Sequence, residues 1–149
     1  GILEYTVTPG EKTTTISGKG KAGLKQEENY YFFYLPVCYK GITGKSYAYY
    51  NTSRSKNLYL PASVDENYSY DIQLPENLTL CTPIQEKKID NPIGSFKITL
   101  TSEGSSLHIE LALQIKKQLI TPAEYPAFRS LITEWTDRTR KPILFKTVQ

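Results

Sequence analysis

The sequence predicts an all-β protein, an antiparallel β-sandwich with a single C-terminal α-helix packed on it over about residues 126–138, followed by a last strand. Several segments alternate apolar and polar side chains with the two-residue period of a strand. Gly, Pro, Asn and Ser separate these segments, and no helical pattern lies between them. Many short strands without intervening helices favour an antiparallel sandwich over a parallel α/β fold.

The clearest strand is SLHIELALQIKKQLI, in which apolar residues occupy every second position from Leu107 to Ile115. The preceding segment SFKITLT places Phe96, Ile98 and Leu100 on one face, and SEGSS between the two segments supplies turn residues. The pair is therefore predicted to form an antiparallel hairpin with one buried face.

Shorter strands are predicted from similar patterns. YSYDIQL alternates in the same way and is ended by Pro75, which cannot donate to a sheet ladder. The segment TPIQEKKIDNPIG, in contrast, is rich in charge and bounded by two prolines, so we expect a surface loop over residues 82–94. The remaining short runs lie at residues 2–7, 12–17, 29–35, 47–50, 57–60 and 143–148.

The predicted helix is preceded by a capping signal. Thr121 and Glu124 have the T-x-x-E spacing of a capping box, and Pro122 suits a first helical position. Pro126 disfavours helical angles at the residue before it, so we expect a capped turn over residues 121–125 and a regular helix from Pro126 to Arg138. The apolar face of this helix is Phe128, Leu131, Ile132 and Trp135, and Arg129, Glu134 and Asp137 are expected to face water.

Composition limits the classes of function. The chain has 149 residues, the size of a single domain, so residues 1–149 are expected to form one. Net charge is +3 with scattered positive residues, apart from Arg138, Arg140 and Lys141 at the helix end, and this distribution argues against nucleic-acid binding. No apolar run is long enough to span a membrane. The chain begins at Gly1 and contains no Met, so we expect a piece excised from a longer chain.

No catalytic set is recognisable. The single histidine, His108, falls on the polar side of its strand beside Glu110, which is typical of a solvated sheet surface, and a lone histidine does not favour a metal site. Cys38 and Cys81 lie among apolar neighbours, which favours two buried free thiols over a Cys38–Cys81 bridge. No phosphate-binding loop occurs. We therefore assign no catalytic residue, no cofactor and no metal, and predict that this chain alone is not an enzyme.

Tyrosine is the one compositional anomaly, because seven of the twelve tyrosines lie between Tyr30 and Tyr50. Tyrosine rings commonly pack the faces of sheets. If several rings are exposed together, they form a platform for a carbohydrate, peptide or protein ligand. The candidate contact residues are Tyr30, Tyr34, Tyr47 and Tyr49.

Four segments resemble a known family: NLYLPAS, YSYDIQLPENLTL, NPIGSFKITL and QLITPAEYPAFRSLI. They are similar to the C-terminal domain of unknown function that follows a transglutaminase-like domain in multidomain proteins, largely of Bacteroidetes. The similarity covers about the last two-thirds of the chain, and the start of the helix at Tyr125-Pro126 is its most distinctive mark.

The resemblance implies a periplasmic or otherwise extracytoplasmic parent protein, in which an N-terminal β domain and a papain-like transglutaminase or protease core precede this β-sandwich. The preceding transglutaminase-like domain would then be the partner of this chain, and the catalytic residues would belong to that domain. The expected function is a non-catalytic accessory domain that packs on the catalytic domain or positions its substrate. The alternative is an independent carbohydrate- or peptide-binding module that uses exposed tyrosines.

Overall fold

The structure is a computed structural model that describes residues 2–35, 42, 52–137 and 142–148. The helix α1 (Tyr125–Trp135) is followed by the final strand. The strands are β1 (Ile2–Pro9), β2 (Thr14–Gly20), β3 (Lys25–Glu27), β4 (Tyr30–Tyr34), β5 (Leu58–Tyr59), β6 (Val64–Gln73), β7 (Leu78–Leu80), β8 (Gln85–Asn91), β9 (Gly94–Glu103), β10 (Ser106–Ile115), β11 (Leu119–Ile120) and β12 (Pro142–Thr147).

The strands form two four-stranded sheets and two small ribbons. The larger sheet has the order β6-β10-β9-β8, and the second has the order β3-β4-β12-β7. The ribbons are β1-β2 and β5-β11. All strand pairs in the described residues are antiparallel, so the predicted all-β fold with antiparallel sheets, a C-terminal helix and a last strand is confirmed.

One face of the larger sheet is buried by two different partners. At one end of this face, side chains of β9 and β10 form a core with helix α1: Phe96, Ile98, Leu113, Ile115, Phe128, Leu131, Ile132 and Trp135. At the other end, the same two strands form a core with the second sheet: Leu100, Leu107, Ile109, Ile143 and Phe145. Helix α1 therefore covers one end of this face of the larger sheet, and the second sheet covers the other end.

The predicted hairpin of β9 and β10 is confirmed with its register. Leu107 pairs with Ser102 and Ile109 with Leu100, and the loop between the strands has two residues, Gly104 and Ser105. Gly104 has a φ of +56°, the left-handed region that glycine adopts without a steric penalty. A two-residue loop with glycine at its first position is the type II′ pattern, which matches the twist of antiparallel strands.

The capping box forms, but one turn before the helix. The Thr121 N–H donates to Glu124 Oε2 at 3.1 Å, and the Glu124 N–H reaches Thr121 Oγ1 at 3.4 Å. Lys117 pairs with the same carboxylate. The hydrogen bond from Lys117, followed by those from Thr121, lowers the pKa of Glu124 to about 2. Residues 122–124 form a turn and the helix begins at Tyr125, close to the predicted start.

The helix ends three residues before the predicted Arg138. Thr136 is the C-cap residue, with a φ of −95° and a ψ of 0°, and its N–H and its hydroxyl both donate to the Ile132 carbonyl, at 2.9 and 2.8 Å. Arg138, Arg140 and Lys141 lie outside the described residues. Glu134 was predicted to face water, and this was wrong: it is partly buried and pairs with Lys87 at 2.5 Å.

The surface loop predicted over residues 82–94 was also wrong, because Gln85–Asn91 forms edge strand β8. Its inward positions are mostly polar, which hides the alternation from a hydrophobicity pattern. The helix satisfies two of these polar groups. Lys87 pairs with Glu134, and Asn91 Nδ2 donates to the Ala127 carbonyl at 3.0 Å.

Candidate functional site

The β4 aromatic face is the first candidate site, and we define it as Tyr30, Phe32 and Tyr34. Alternation along β4 turns Tyr31 and Phe33 toward the core between the sheets, so these three rings lie on the opposite face. Tyr30 is 44% exposed and Tyr34 54% exposed. Two of the four predicted contact residues thus lie on one accessible surface.

Neighbouring strands extend this aromatic face on both sides. Lys25 of β3 and Leu144 of β12 are the register partners of Phe32, so both belong to the same face. The Lys25 ammonium lies 5.6 Å from the centre of the Tyr34 ring, a cation–π distance. A row of rings with a cation at its edge is suited to stacking against a sugar ring or an extended peptide.

The other predicted contacts, Tyr47 and Tyr49, lie outside the described residues. Cys38 lies outside them as well, and Cys81 is a free thiol. Cys81 itself is partly exposed, where a buried thiol was expected, and its Sγ lies 4.0 Å from the Thr79 carbonyl oxygen.

A charged cluster around His108 is the second candidate site. It lies on the face of the larger sheet that points away from both cores. His108 Nδ1 lies 2.7 Å from Asp71 Oδ1, and His108 Nε2 lies 3.4 Å from Glu110 Oε1. The other oxygen of Glu110 accepts a hydrogen bond from Lys97 at 2.8 Å. The four charged groups form one chain across strands β6, β10 and β9.

The cluster favours the charged forms of His108 and Glu110. Hydrogen bonds to Asp71 and then to Glu110 raise the pKa of His108 above its ordinary value. The hydrogen bond from Lys97, with that from His108, lowers the pKa of Glu110. Both ring nitrogens face carboxylates, so the imidazolium is stabilised and neither nitrogen offers a free lone pair to a substrate.

In the part of the chain that the structure describes, no nucleophile is positioned beside His108. Ser106 lies two residues before it on the same face and lines the same shallow depression of about 290 Å³. A serine nucleophile needs its hydroxyl on a histidine nitrogen that a carboxylate orients from the other side. Here the Ser106 hydroxyl donates to Gln73 Oε1 at 3.0 Å, and His108 Nε2 faces Glu110. The arrangement fits a surface ion-pair chain and not a triad.

Among the residues that the structure describes, no group of three or more His, Cys, Asp and Glu side chains could hold a metal ion. Within the same ranges, helix α1 falls short of the length and apolarity that a membrane span requires.

Comparison with known families gives a match over most of the chain. Residues 29–145 match DUF3858, which is described as a domain of unknown function with a solved structure. The chain belongs to the DUF3858 family. The match begins just before β4 and ends within β12, so the β4 aromatic face and the His108 cluster lie in the DUF3858 segment, whereas Lys25 and the β1-β2 ribbon lie before it. The predicted resemblance to a domain of unknown function is thereby confirmed, and its position after a transglutaminase-like domain stays a prediction.

The DUF3858 chain is also similar to the crystal structure of a "putative protease" from Parabacteroides distasonis ATCC 8503, with 31% sequence identity and a TM-score of 0.71. The similarity covers 82% of this chain and 24% of the Parabacteroides chain. The present chain thus spans about a quarter of the length of that protein. Among curated proteins, none matches it.

Several members of the two candidate sites were not predicted from the sequence. Asp71 follows a strand alternation that was recognised, but its pairing with His108 joins strands 37 residues apart and needs the sheet order. Lys25 lies on a strand of three residues that carries no apolar alternation. Phe32 was not predicted as a contact residue, because that prediction was based on tyrosines alone.

The His108 cluster predicts how stability of the DUF3858 domain depends on pH. Because folding raises the pKa of His108, the cluster stabilises the folded state fully below the unfolded value of about 6.5, and this contribution is lost as pH rises through the folded pKa. Urea unfolding from pH 5.5 to 8.5 should show the free energy of unfolding falling with pH. The variant His108→Gln should flatten this dependence, because the chain has a single histidine.

The control for this experiment is Asp71→Asn, which removes one of the two carboxylates and should reduce the dependence without abolishing it. Equal slopes for the wild type and His108→Gln would contradict the assignment of the raised pKa to this cluster.

Proposed function

We propose that the chain is a non-catalytic accessory β-sandwich domain of an extracytoplasmic transglutaminase/protease-like protein, which packs on the catalytic domain or positions its substrate. The observation that carries the proposal is the similarity of 82% of this chain to only 24% of a larger chain described as a "putative protease". A chain that matches only about a quarter of a larger relative is expected to be one domain of a multidomain protein. The preceding transglutaminase-like domain is the proposed partner, and the periplasm is the proposed location.

The chemistry of the His108 cluster supports a non-catalytic role. A general base needs a nitrogen or oxygen that can receive a proton from the substrate. The histidine ring is held between Asp71 and Glu110, and Lys97 in turn neutralises Glu110. These groups satisfy one another, so the cluster stabilises the sheet surface instead of presenting reactive atoms to a substrate.

The test of this proposal is an assay of the purified chain, residues 1–149, with peptide substrates alone and with peptide plus a primary amine. We expect neither hydrolysis nor cross-linking. Turnover that disappears in His108→Gln would contradict the proposal, because it would place a reactive site within this chain.

The β4 aromatic face favours a second candidate function, binding of an oligosaccharide or an extended peptide. The supporting observation is that Tyr30 and Tyr34 are exposed together beside Lys25. Titration calorimetry with cellohexaose, xylohexaose, mannohexaose and a tyrosine-free decapeptide provides the test. Binding that is lost in the double variant Tyr30→Ser/Tyr34→Ser supports this function.

The matched control for that experiment is Tyr59→Ser. Tyr59 lies on β5 and is 72% exposed, so it measures the effect of removing an exposed ring elsewhere. Equal loss in this control, or no heat with any of the four probes, would remove the case for a ligand on the aromatic face.

A further inference from the structure

The ribbon of β1 and β2 has one apolar face and one polar face. Val7 pairs directly with Ile16, and Tyr5 lies opposite Gly18 two positions along the same face. The reverse face is polar, and its register pairs are Glu4 with Lys19, Thr6 with Ser17 and Thr8 with Thr15. Side chains in a strand point alternately to the two faces, so this sorting is the pattern of a ribbon with one face buried and one in water.

The apolar face is nevertheless exposed. Tyr5 is 69% exposed, Val7 49% and Ile16 68%. Every residue from Glu4 to Gly20 is exposed, so neither of the two hydrophobic cores reaches this ribbon. An isolated two-stranded hairpin is at best marginally stable in water. The ribbon therefore has the pattern of a packed element without a packing partner in the described residues.

We propose that the apolar face of the β1-β2 ribbon, defined as Tyr5, Val7 and Ile16, docks on an apolar strip of the preceding catalytic domain in the same polypeptide. This inference rests on the proposed function, because it requires that neighbouring domain. The ribbon lies before the DUF3858 segment of residues 29–145, which is the side on which a preceding domain is joined.

The size of the face favours a covalently linked occupant over a second copy of the chain. Three side chains of this exposure present on the order of 350 Å², less than half of the roughly 800 Å² per partner of a standard interface between separate proteins. A linked domain needs less area, because a short linker holds it at an effective concentration of about millimolar. Contacts between domains of one chain are accordingly smaller than those of stable complexes.

Docking of this kind also orders the ribbon. Face-on packing removes the apolar face from water, and the polar face with its Glu4 and Lys19 pair remains solvated. The ribbon then changes from a marginal hairpin into an ordered element that fixes the angle between the two domains.

Hydrogen exchange of the ribbon amides, measured by mass spectrometry, tests the inference in two proteins: residues 1–149 alone and the full-length polypeptide with its catalytic domain. In the isolated chain we expect exchange of residues 2–20 close to the unfolded rate. In the full-length polypeptide we expect it to be at least tenfold slower. The double variant Val7→Thr/Ile16→Thr keeps β-branched side chains while removing apolar surface, and it should abolish this slowing.

The matched control is Thr8→Ser/Thr15→Ser, a register pair on the polar face, which should retain the slowing. Unchanged fluorescence of Trp135 verifies that each variant keeps its core. Equally fast exchange in the two wild-type proteins would overturn the inference. If other surfaces of residues 1–149 still became protected, the proposed function would survive that result.

Two further outcomes would also overturn the inference. Dimerisation of isolated residues 1–149 in sedimentation experiments, lost in Val7→Thr/Ile16→Thr, would make a second copy the occupant and overturn the inference. A full-length polypeptide without a catalytic domain would overturn the proposed function, and this inference with it.

Discussion

Gly94→Ala is expected to destabilise the protein by at least about 3 kcal/mol, far more than an added methyl group costs at Gly23 or Gly104. Gly94 is buried at the start of β9 and pairs with Ile115 of β10. A β-carbon at this position would overlap the Gln114 backbone carbonyl and lie 2.8 Å from its carbon. Backbone atoms within a sheet cannot move aside as a flexible side chain can, so the pairing of β9 with β10 must distort.

The measurement is urea unfolding followed by circular dichroism, with two other glycines as controls. Gly23→Ala meets nothing within 4 Å and should change the free energy of unfolding by less than about 0.5 kcal/mol. Gly104→Ala also meets open space but sits at a φ of +56°, so it should cost about 1 kcal/mol through backbone strain alone. A Gly94→Ala variant within 1 kcal/mol of the wild type would contradict the close approach of the two strands.

Trp135→Ala should cost about 3–5 kcal/mol, because it removes the largest side chain of the helix from the core. The indole packs at 5.9 Å from the Tyr68 ring and edge-on at 6.4 Å from the Phe96 ring. Trp135 is 7% exposed, so its truncation leaves a cavity between the helix and the sheet.

Trp135→Phe is the matched control, and it should cost less than about 1.5 kcal/mol, since most of the ring contact is retained. The indole N–H has no hydrogen-bond partner in the described part of the chain, so its removal loses no hydrogen bond there. Far-UV circular dichroism is the appropriate probe, because Trp135 is the single tryptophan and its loss removes the fluorescence signal. Near-unchanged stability of Trp135→Ala would indicate an exposed docking face in place of a core.

The elements with a strong apolar period could be predicted from the sequence. Strand β10 and helix α1 show this clearly, since Leu107 to Ile115 alternate and Phe128 to Trp135 follow the helical spacing. Strand β8 could not be predicted in this way. Its inward side chains include Lys87 and Asn91, which are satisfied by polar atoms of a helix more than 30 residues further along the chain.

The candidate sites were predictable only in part, for a related reason. Alternation along β4 places aromatic residues on both faces, so the sequence does not reveal which tyrosines are exposed. Which face of β4 is exposed depends on β12, because Ile143 and Phe145 complete the core on the side of Tyr31 and Phe33. Likewise, the carboxylates around His108 come together only through the pairing of β6 with β10.

We propose that this DUF3858 domain serves a catalytic domain in the same polypeptide without performing chemistry itself. The most direct measurement compares the full-length protein with a form that lacks residues 1–149, by the melting temperature of the catalytic domain and by kcat/KM for a peptide substrate. We expect removal of residues 1–149 to lower the melting temperature of the catalytic domain, its kcat/KM, or both. An unchanged melting temperature together with an unchanged kcat/KM would contradict it.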